Sequence, residues 1–296
     1  MKIAVVCGGK TNEREVSLRT GEAVCNALSK KGYDVCKIDC AERCLEKIIE
    51  GKADAVFIAL HGGDGENGTL QAALDMFSIP YTGSGKKASI LAMDKFLTKI
   101  LLSHYNIPTT KFALIEKKGD YSWNCFPAVI KPREEGSSVD VCFVYNKKEL
   151  QQTINKLLNR YETLLIEQAI FGKELTVSIL NGEILPIIEI KPHHGFYNYH
   201  NKYTLGSTEY IIPAALPEIT KKLCENIALK IYKILNCRGM ARIDMMLSEG
   251  NIPYILEVNT IPGMTETSLF PKAADVKGYS FEDMTQVILQ SVNERL

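Results

Sequence analysis

The chain has no surplus of either charge. Its 296 residues carry 35 Lys plus Arg against 35 Asp plus Glu, so the formal net charge is zero. That balance argues against a nucleic-acid or polyanion binder, which usually shows a basic excess. No stretch approaches the ~18 uninterrupted apolar residues of a membrane-spanning helix. The opening "MKIAVVCGGK" lacks a long apolar core and a small-residue cleavage site, so no secretory signal is read there and a cytoplasmic protein is expected. No internal repeat or low-complexity tract appears. Nine cysteines are present, but paired metal-ligand spacing is missing: Cys36, Cys40 and Cys44 stand with three residues between neighbours, and no second pair follows. The cysteines are therefore expected as free thiols in a reducing compartment.

Two nucleotide fingerprints are incomplete as well. "GGKT" at 8–11 looks like the end of a phosphate-binding loop, yet the glycine required at position 4 is Ala4, inside a strand-like run. "GSGKKA" at 83–88 fits G-x-G-x-x-A in letters, but only "IPYT" precedes it where a full strand is needed. A turn feeding a helix is expected there. "HH" at 193–194 has no further ligands at fitting spacing and reads as a pair of loop residues.

What remains is an ordinary globular composition, 46% hydrophobic and 24% charged, long enough for two or three domains. Residues 1–93 alternate strand-like runs ("KIAVVCGG", "YDVCKID", "DAVFIAL") with helical periodicity, which predicts an α/β unit with a parallel sheet. Ligands on such sheets gather where the strands end, here "CGGKTNE" and "HGGDGENG". His61, ahead of the second loop, is a candidate polar site residue. Residues 94–171 form a second unit, in which Lys131 ends a strand before Gly136, Ser137 and Ser138. A strand-end lysine and Gly-Ser N–H groups suit phosphates, although such loops also occur as plain turns. "LLIEQAI" places Glu167 and Ile170 where a ribose and an adenine edge could bind. Residues 172–296 open with a hairpin turned at Asn181-Gly182.

The strongest signal is a second hairpin, "ARIDMMLSEGNIPYILEVNT" at 241–260. Its strands are apolar, yet one carries Arg242 and Asp244 and the other Glu257 and Asn259. Residues two apart share a face, and pairing about the turn places Asp244 opposite or diagonal to Glu257. Three oxygen-bearing side chains on one patch suit a hard cation such as Mg²⁺.

With "GGKTNEREVSL" (8–18), "FIALHGGDGENGTLQ" (57–71), "PYTGSGKKASILAMDK" (80–95), "VIKPREEGSSV" (129–139), "KYTLGSTEYIIPA" (202–214), "GMARIDMML" (239–247) and "LEVNTIPGMTETSL" (256–269) in this order, the chain resembles the D-alanine–D-alanine ligases of the ATP-grasp superfamily. The resemblance implies an α+β ATP-grasp fold: an N-terminal Rossmann-like unit followed by two ATP-grasp lobes. It implies ATP-dependent joining of two D-alanines through D-alanyl phosphate, for peptidoglycan precursor synthesis. Asp244, Glu257 and Asn259 would hold two Mg²⁺ ions (Mn²⁺ as a substitute), with Arg242 and the Gly263 N–H on the developing oxyanion. Lys95, Lys131 and Ser138 would hold the ATP phosphates, and Glu167, Ile170 and Glu174 the adenosine. Glu13 and His61 would meet the first D-alanine, Ser268 and the Leu269 N–H the carboxylate of the second. Lys202 and Tyr203 would belong to a lid, Tyr203 reaching towards Ser137 and Glu13. A homodimer is expected, with no nucleic-acid or membrane partner. The family pattern K-P-x-R-E-G-S-S-V-G is altered here, with Glu134 at the arginine, Arg133 one position early and Asp140 at the last glycine. A D-alanine–D-lactate or D-alanine–D-serine ligase is the nearest alternative; Tyr203 speaks against the lactate form. A non-catalytic nucleotide binder fits poorly with an intact Arg242, Asp244, Glu257 and Asn259 set.

Overall fold

The chain, seen in a computed structural model that describes residues 1–118, 121–192 and 208–295, is built on three sheets. The first is parallel. β1 (Lys2–Cys7) lies between β2 (Asp34–Asp39) and β3 (Ala55–Ile58), in the order β2-β1-β3. Five of the six β1 residues are buried, as an unbroken apolar run demands when both faces of a parallel sheet are covered. The crossover helix α1 (Arg14–Lys30) buries Val16, Thr20, Val24, Ala27 and Leu28 at helical spacing. Gly21 allows that helix to lie close on the sheet, since a Cβ there would come within 2.5 Å of Cys7 Cβ. The rest of this segment is helical: α2 (Cys44–Glu50), the single turn α3 (Gly63–Glu66), α4 (Thr69–Met76) and α5 (Lys86–Met93). "GSGKKA" is a turn feeding α5, with Gly83 at φ 78°.

The second sheet is antiparallel, with order β4-β7-β5-β6: β4 (Phe112–Ile115), β7 (Leu164–Gln168), β5 (Ala128–Pro132) and β6 (Cys142–Val144). Helices α6 (Lys95–His104) and α7 (Lys147–Leu157) belong to this stretch, and α7 buries Leu150, Ile154 and Leu157 against the sheet. The third sheet runs β11-β10-β8-β12-β13, with β9 (Glu183–Ile184) added beside β8. Its strands are β8 (Gly172–Leu180), β10 (Ile188–Pro192), β11 (Thr208–Ile211), β12 (Met240–Ser248) and β13 (Pro253–Asn259). Helix α8 (Glu218–Ile234) covers it through Cys224, Ala228 and Ile231.

The three sheets fall within 1–93, 94–171 and 172–296, but the hydrophobic cores cross those limits. The core around β1–β3 includes Phe270 and Ala273 of α9 (Leu269–Lys277) and Met284 and Ile288 of α10 (Phe281–Gln290). The C-terminal helices therefore complete the N-terminal unit, and the chain end returns to its start. The cysteines depart from expectation at one pair: a bend between them brings the Cα atoms of Cys40 and Cys44 to 4.4 Å, and the two form a disulfide. The other seven are free, with Cys7, Cys224 and Cys237 buried. No helix among the described residues is long and apolar enough to cross a membrane.

Candidate active site

β12 is an inner strand of the third sheet, flanked by β8 and the edge strand β13, and its polar residues are sandwiched between neighbours. Arg242 stands opposite Asn259 and Asp244 opposite Glu257, and the ladder slips by one residue immediately afterwards, pairing Met245 with Ile255. Such a bulge re-aims the side chains beside it. Arg242 and Asp244 share one face. The guanidinium grips the carboxylate in fork geometry, Nε to Oδ1 at 2.9 Å and Nη2 to Oδ2 at 2.7 Å, and Thr176 Oγ1 donates to Oδ1 at 2.6 Å. Both side chains are buried. Asn259 Oδ1 accepts the Ile261 N–H at 3.0 Å, which fixes the amide oxygen. The described residues hold no cluster of three His, Cys, Asp or Glu side chains placed to bind a metal by themselves. The donor set is nonetheless all oxygen (Asp244, Glu257 and Asn259), which suits a hard cation that takes its remaining ligands from phosphate.

Lysines form the opposite wall. Asp94 caps α6 by accepting the Leu97 N–H at 3.0 Å, and it also holds Arg133 Nε at 2.9 Å, so the first helical residue, Lys95, is fixed from both sides. Lys95 Nζ donates to the Glu135 carbonyl at 2.5 Å. Burial lowers its pKa, with Glu257 opposing that shift. Lys131, at the end of β5, lies 2.7 Å from Glu167 Oε1, and Lys99 lies 3.0 Å from Oε2. Thr110 Oγ1 donates to the same Oε2 at 2.9 Å. Burial alone would raise the Glu167 carboxyl, but the Lys131 and Lys99 ammoniums outweigh it and hold it at about 2. Burial pushes Lys99 down to about 8, with Glu167 resisting. Glu167, expected at the adenosine, lines the same cavity as Ile170 and Glu174, and its carboxylate also faces these two protein cations. Lys99 was missed because it reads as a surface lysine of an amphipathic helix. Its one signal is its place one turn after Lys95.

The third wall comes from the first sheet. Glu13 precedes α1, and its loop is tied down by Thr11 Oγ1, which donates to the His61 carbonyl at 2.8 Å. Ser137 Oγ donates to Glu13 Oε1, joining this loop to the Gly-Ser loop. A Cβ at Gly136 would lie 3.0 Å from Glu13 Oε2, so the loop approaches this carboxylate closely only with glycine there. His61 is buried; its Nε2 lies 3.0 Å from Thr20 Oγ1 and its Nδ1 3.8 Å from Glu66. Glu66 also went unnoticed in the sequence. The single turn of α3 folds it back beneath His61, and burial raises its pKa against the opposing effect of His61. On the far side, Ser268 Oγ accepts the Thr265 N–H at 3.0 Å, and Leu269 opens α9 with Ser268 as its cap. A Cβ at Gly263 would come within 2.9 Å of Ser268 Oγ, so the turn is packed against that hydroxyl.

These groups line one connected cleft. A cavity of about 140 Å³, open to solvent, is walled by Lys95, Lys131, Ser138, Ile170, Glu174 and Asp244. A second cavity shares Lys95 and Glu257 with it and reaches Glu13 and Ser137. A third shares Glu13 and Asn259 with the second and contains His61, Gly263, Ser268 and Leu269. Lys202 and Tyr203, expected in a lid, and His193 and His194 lie outside the described residues.

Models of the D-ala D-ala ligase N-terminus and C-terminus match residues 41–84 and 101–290. A D-alanine–D-alanine ligase of Carboxydothermus hydrogenoformans is 47% identical, covering 98% of this chain and 97% of the relative. One of Syntrophotalea carbinolica is 44% identical, covering 99% and 97%. The chain belongs to the D-alanine–D-alanine ligase family. Its fold agrees with that of the Bacillus anthracis ligase at a TM-score of 0.89 and 37% identity, covering 99% of this chain and 98% of that one. It is also similar to a D-Ala:D-Ser ligase from Enterococcus faecalis, at a TM-score of 0.84 and 29% identity. The α+β ATP-grasp architecture of this ligase family is thus the fold of the chain. The altered Gly-Ser loop has its own anchors. Asp140 sits at φ 53°, a left-handed conformation, and its carboxylate accepts from Tyr161 at 2.5 Å and lies 2.9 Å from Arg160. Arg133, early by one position, pairs with Asp94.

Proposed function

We propose that this chain joins two D-alanines at the expense of ATP, releasing ADP and phosphate. The observation that carries this reading is the connected cleft, with Lys95 and Lys131 at one end, the Arg242–Asp244–Glu257–Asn259 hairpin in the middle, and Glu13, His61 and Ser268 at the other. ATP lies in the first cavity, its phosphates facing Lys95, Lys131 and the Ser138 backbone, and its adenosine against Ile170 and Glu174. Glu167 lines the same cavity beside the adenosine and also fixes Lys131. The ammonium of the first D-alanine pairs with Glu13, whose position is held by Ser137, with His61 beside it. That places the substrate carboxylate near the γ-phosphate; a carboxylate oxygen attacks phosphorus, the β–γ bridge breaks, and D-alanyl phosphate and ADP result. The free amine of the second D-alanine, its carboxylate held by Ser268 and the Leu269 N–H at the start of α9, attacks the acyl carbon. The Arg242 guanidinium and the Gly263 N–H meet the oxyanion, and phosphate leaves with the oxygen it gained.

Asp244, Glu257 and Asn259 fit as ligands for Mg²⁺, which when bound neutralises phosphate charge along the transfer. Arg242 would then share the Asp244 carboxylate with the cation. Lys202 and Tyr203 of the lid would exclude water from the acyl phosphate. The same proposal includes three chain segments (1–93, 94–171 and 172–296), a cytoplasmic location and a homodimer. The test is phosphate release from ATP with D-alanine, L-alanine, D-serine or D-lactate supplied in turn. Turnover with D-alanine alone or foremost is expected. Equal turnover with L-alanine contradicts the proposal, and preference for added D-serine as second substrate would favour the activity of the Enterococcus relative.

A further inference from the structure

Lys99 takes no part in the chemistry just described, yet it is the most enclosed cation among the described residues, 1% exposed. Its ammonium has four acceptors: Thr109 Oγ1 at 3.0 Å, Thr110 Oγ1 at 3.2 Å, the Ile255 carbonyl at 3.2 Å and Glu167 Oε2 at 3.0 Å. Burying a lysine is costly unless its charge is matched, so so full a shell points to a retained purpose.

Two consequences follow from where those acceptors sit. First, the Glu167 carboxylate is divided: Lys131 is on Oε1, while Lys99 and Thr110 are on Oε2. Two ammoniums against one carboxylate leave one net positive charge. Without Lys99, Glu167 would neutralise Lys131 alone, and the wall facing the ATP phosphates would lose one of its positive charges at low local dielectric, leaving Lys95. Second, Ile255 lies two residues before Glu257 on β13, on the far side of the bulge that aims Glu257. The Ile255 N–H donates to the Pro108 carbonyl at 3.1 Å, and Thr109 bridges to Ile255. Lys99 closes this junction from the carbonyl side. It thereby ties the strand of the proposed metal ligands to the lobe that holds Lys131.

We infer that Lys99 is a positioning residue of the nucleotide site: it shares the Glu167 carboxylate so that Lys131 keeps its charge for phosphate, and it locks β13 against the 108–110 segment. The inference rests on the ATP-binding role proposed above. The measurement is calorimetric titration of the full chain with Mg²⁺-ATP, without D-alanine, for wild type, Lys99→Met, Lys131→Met and the double variant. ATP should bind Lys99→Met about tenfold or more weakly, and the two substitutions should be non-additive because they act on one carboxylate. A melting temperature lowered with ATP affinity within twofold of wild type would mean that Lys99 only staples the fold, and would overturn the inference, as would additive losses. Should Lys99→Met yield no folded protein, Thr110→Val carries the test. It removes the hydroxyl that joins Lys99 and Glu167 at little change in volume; affinity about threefold weaker or more supports the role, and unchanged affinity refutes it. If the wild type binds no ATP, the proposed function falls; if it binds and Lys99→Met binds equally, only this inference falls.

Discussion

Asp244 on β12 faces Glu257 on β13 directly across the ladder, and the strands slip by one residue just beyond the pair. Two carboxylates set side by side on buried strands repel one another, and like charges directly opposite destabilise a sheet. Arg242 relieves Asp244 with a fork of hydrogen bonds, and the Glu257 charge favours the charged forms of Lys95 and Lys99. A cation bound by both acids, as proposed above, would offset this cost.

Glu257→Gln tests that relation. The substitution removes the charge with little change of volume, so the fold should persist while chemistry suffers. A loss in kcat of about 10²-fold or more is expected, the scale for removing one strong electrostatic stabiliser. Activity within a few-fold of wild type at saturating Mg²⁺ would exclude Glu257 as a ligand.

Glu167 sets a pH dependence of stability. Its pKa is held at about 2, below its ordinary 4.5. A depressed carboxyl contributes stability that is complete above the unfolded value and lost as pH falls through the folded one. Glu167→Gln should therefore melt well below wild type at pH 6 to 7, and the gap should narrow as pH drops from about 4.5 towards 2. Thermal melts of both proteins across that range decide it; a gap that stays constant would show that the ion pairs with Lys99 and Lys131 do not stabilise the fold.

Asp140 separates two effects at one position. Its φ of 53° suits glycine, and its carboxylate holds Tyr161 and Arg160. Asp140→Gly loses only the hydrogen bonds, whereas Asp140→Ala loses them and keeps a strained backbone. The alanine variant should be less stable than the glycine variant by about 1 kcal/mol in urea unfolding. Equal midpoints would show that the loop relaxes out of the left-handed conformation.

Much of this was legible in the sequence because it is local. The Ser-Glu-Gly-Asn turn fixed the pairing of Asp244 with Glu257 to opposite or diagonal, and the structure makes it opposite. The parallel βαβ opening followed from unbroken apolar runs, and the turn into α5 from its glycines. What stayed hidden depends on distant partners. Lys99 meets Glu167 across 68 residues and Ile255 across 156. The packing of α9 and α10 under the first sheet joins the two chain ends, which no periodicity signals. The short strands β4 and β6, of four and three residues, carry too little pattern to stand out. The Cys40–Cys44 disulfide depends on a local bend that a spacing of four does not specify.

The central claim is that a D-alanine carboxylate oxygen passes to phosphorus and leaves with it. D-alanine labelled with ¹⁸O in its carboxylate, incubated with the protein, ATP and Mg²⁺, tests this most directly when dipeptide and inorganic phosphate are both analysed by mass spectrometry. The account predicts D-alanyl-D-alanine together with phosphate carrying one labelled oxygen per peptide bond formed. Dipeptide accompanied by unlabelled phosphate, or phosphate released without dipeptide, would contradict it.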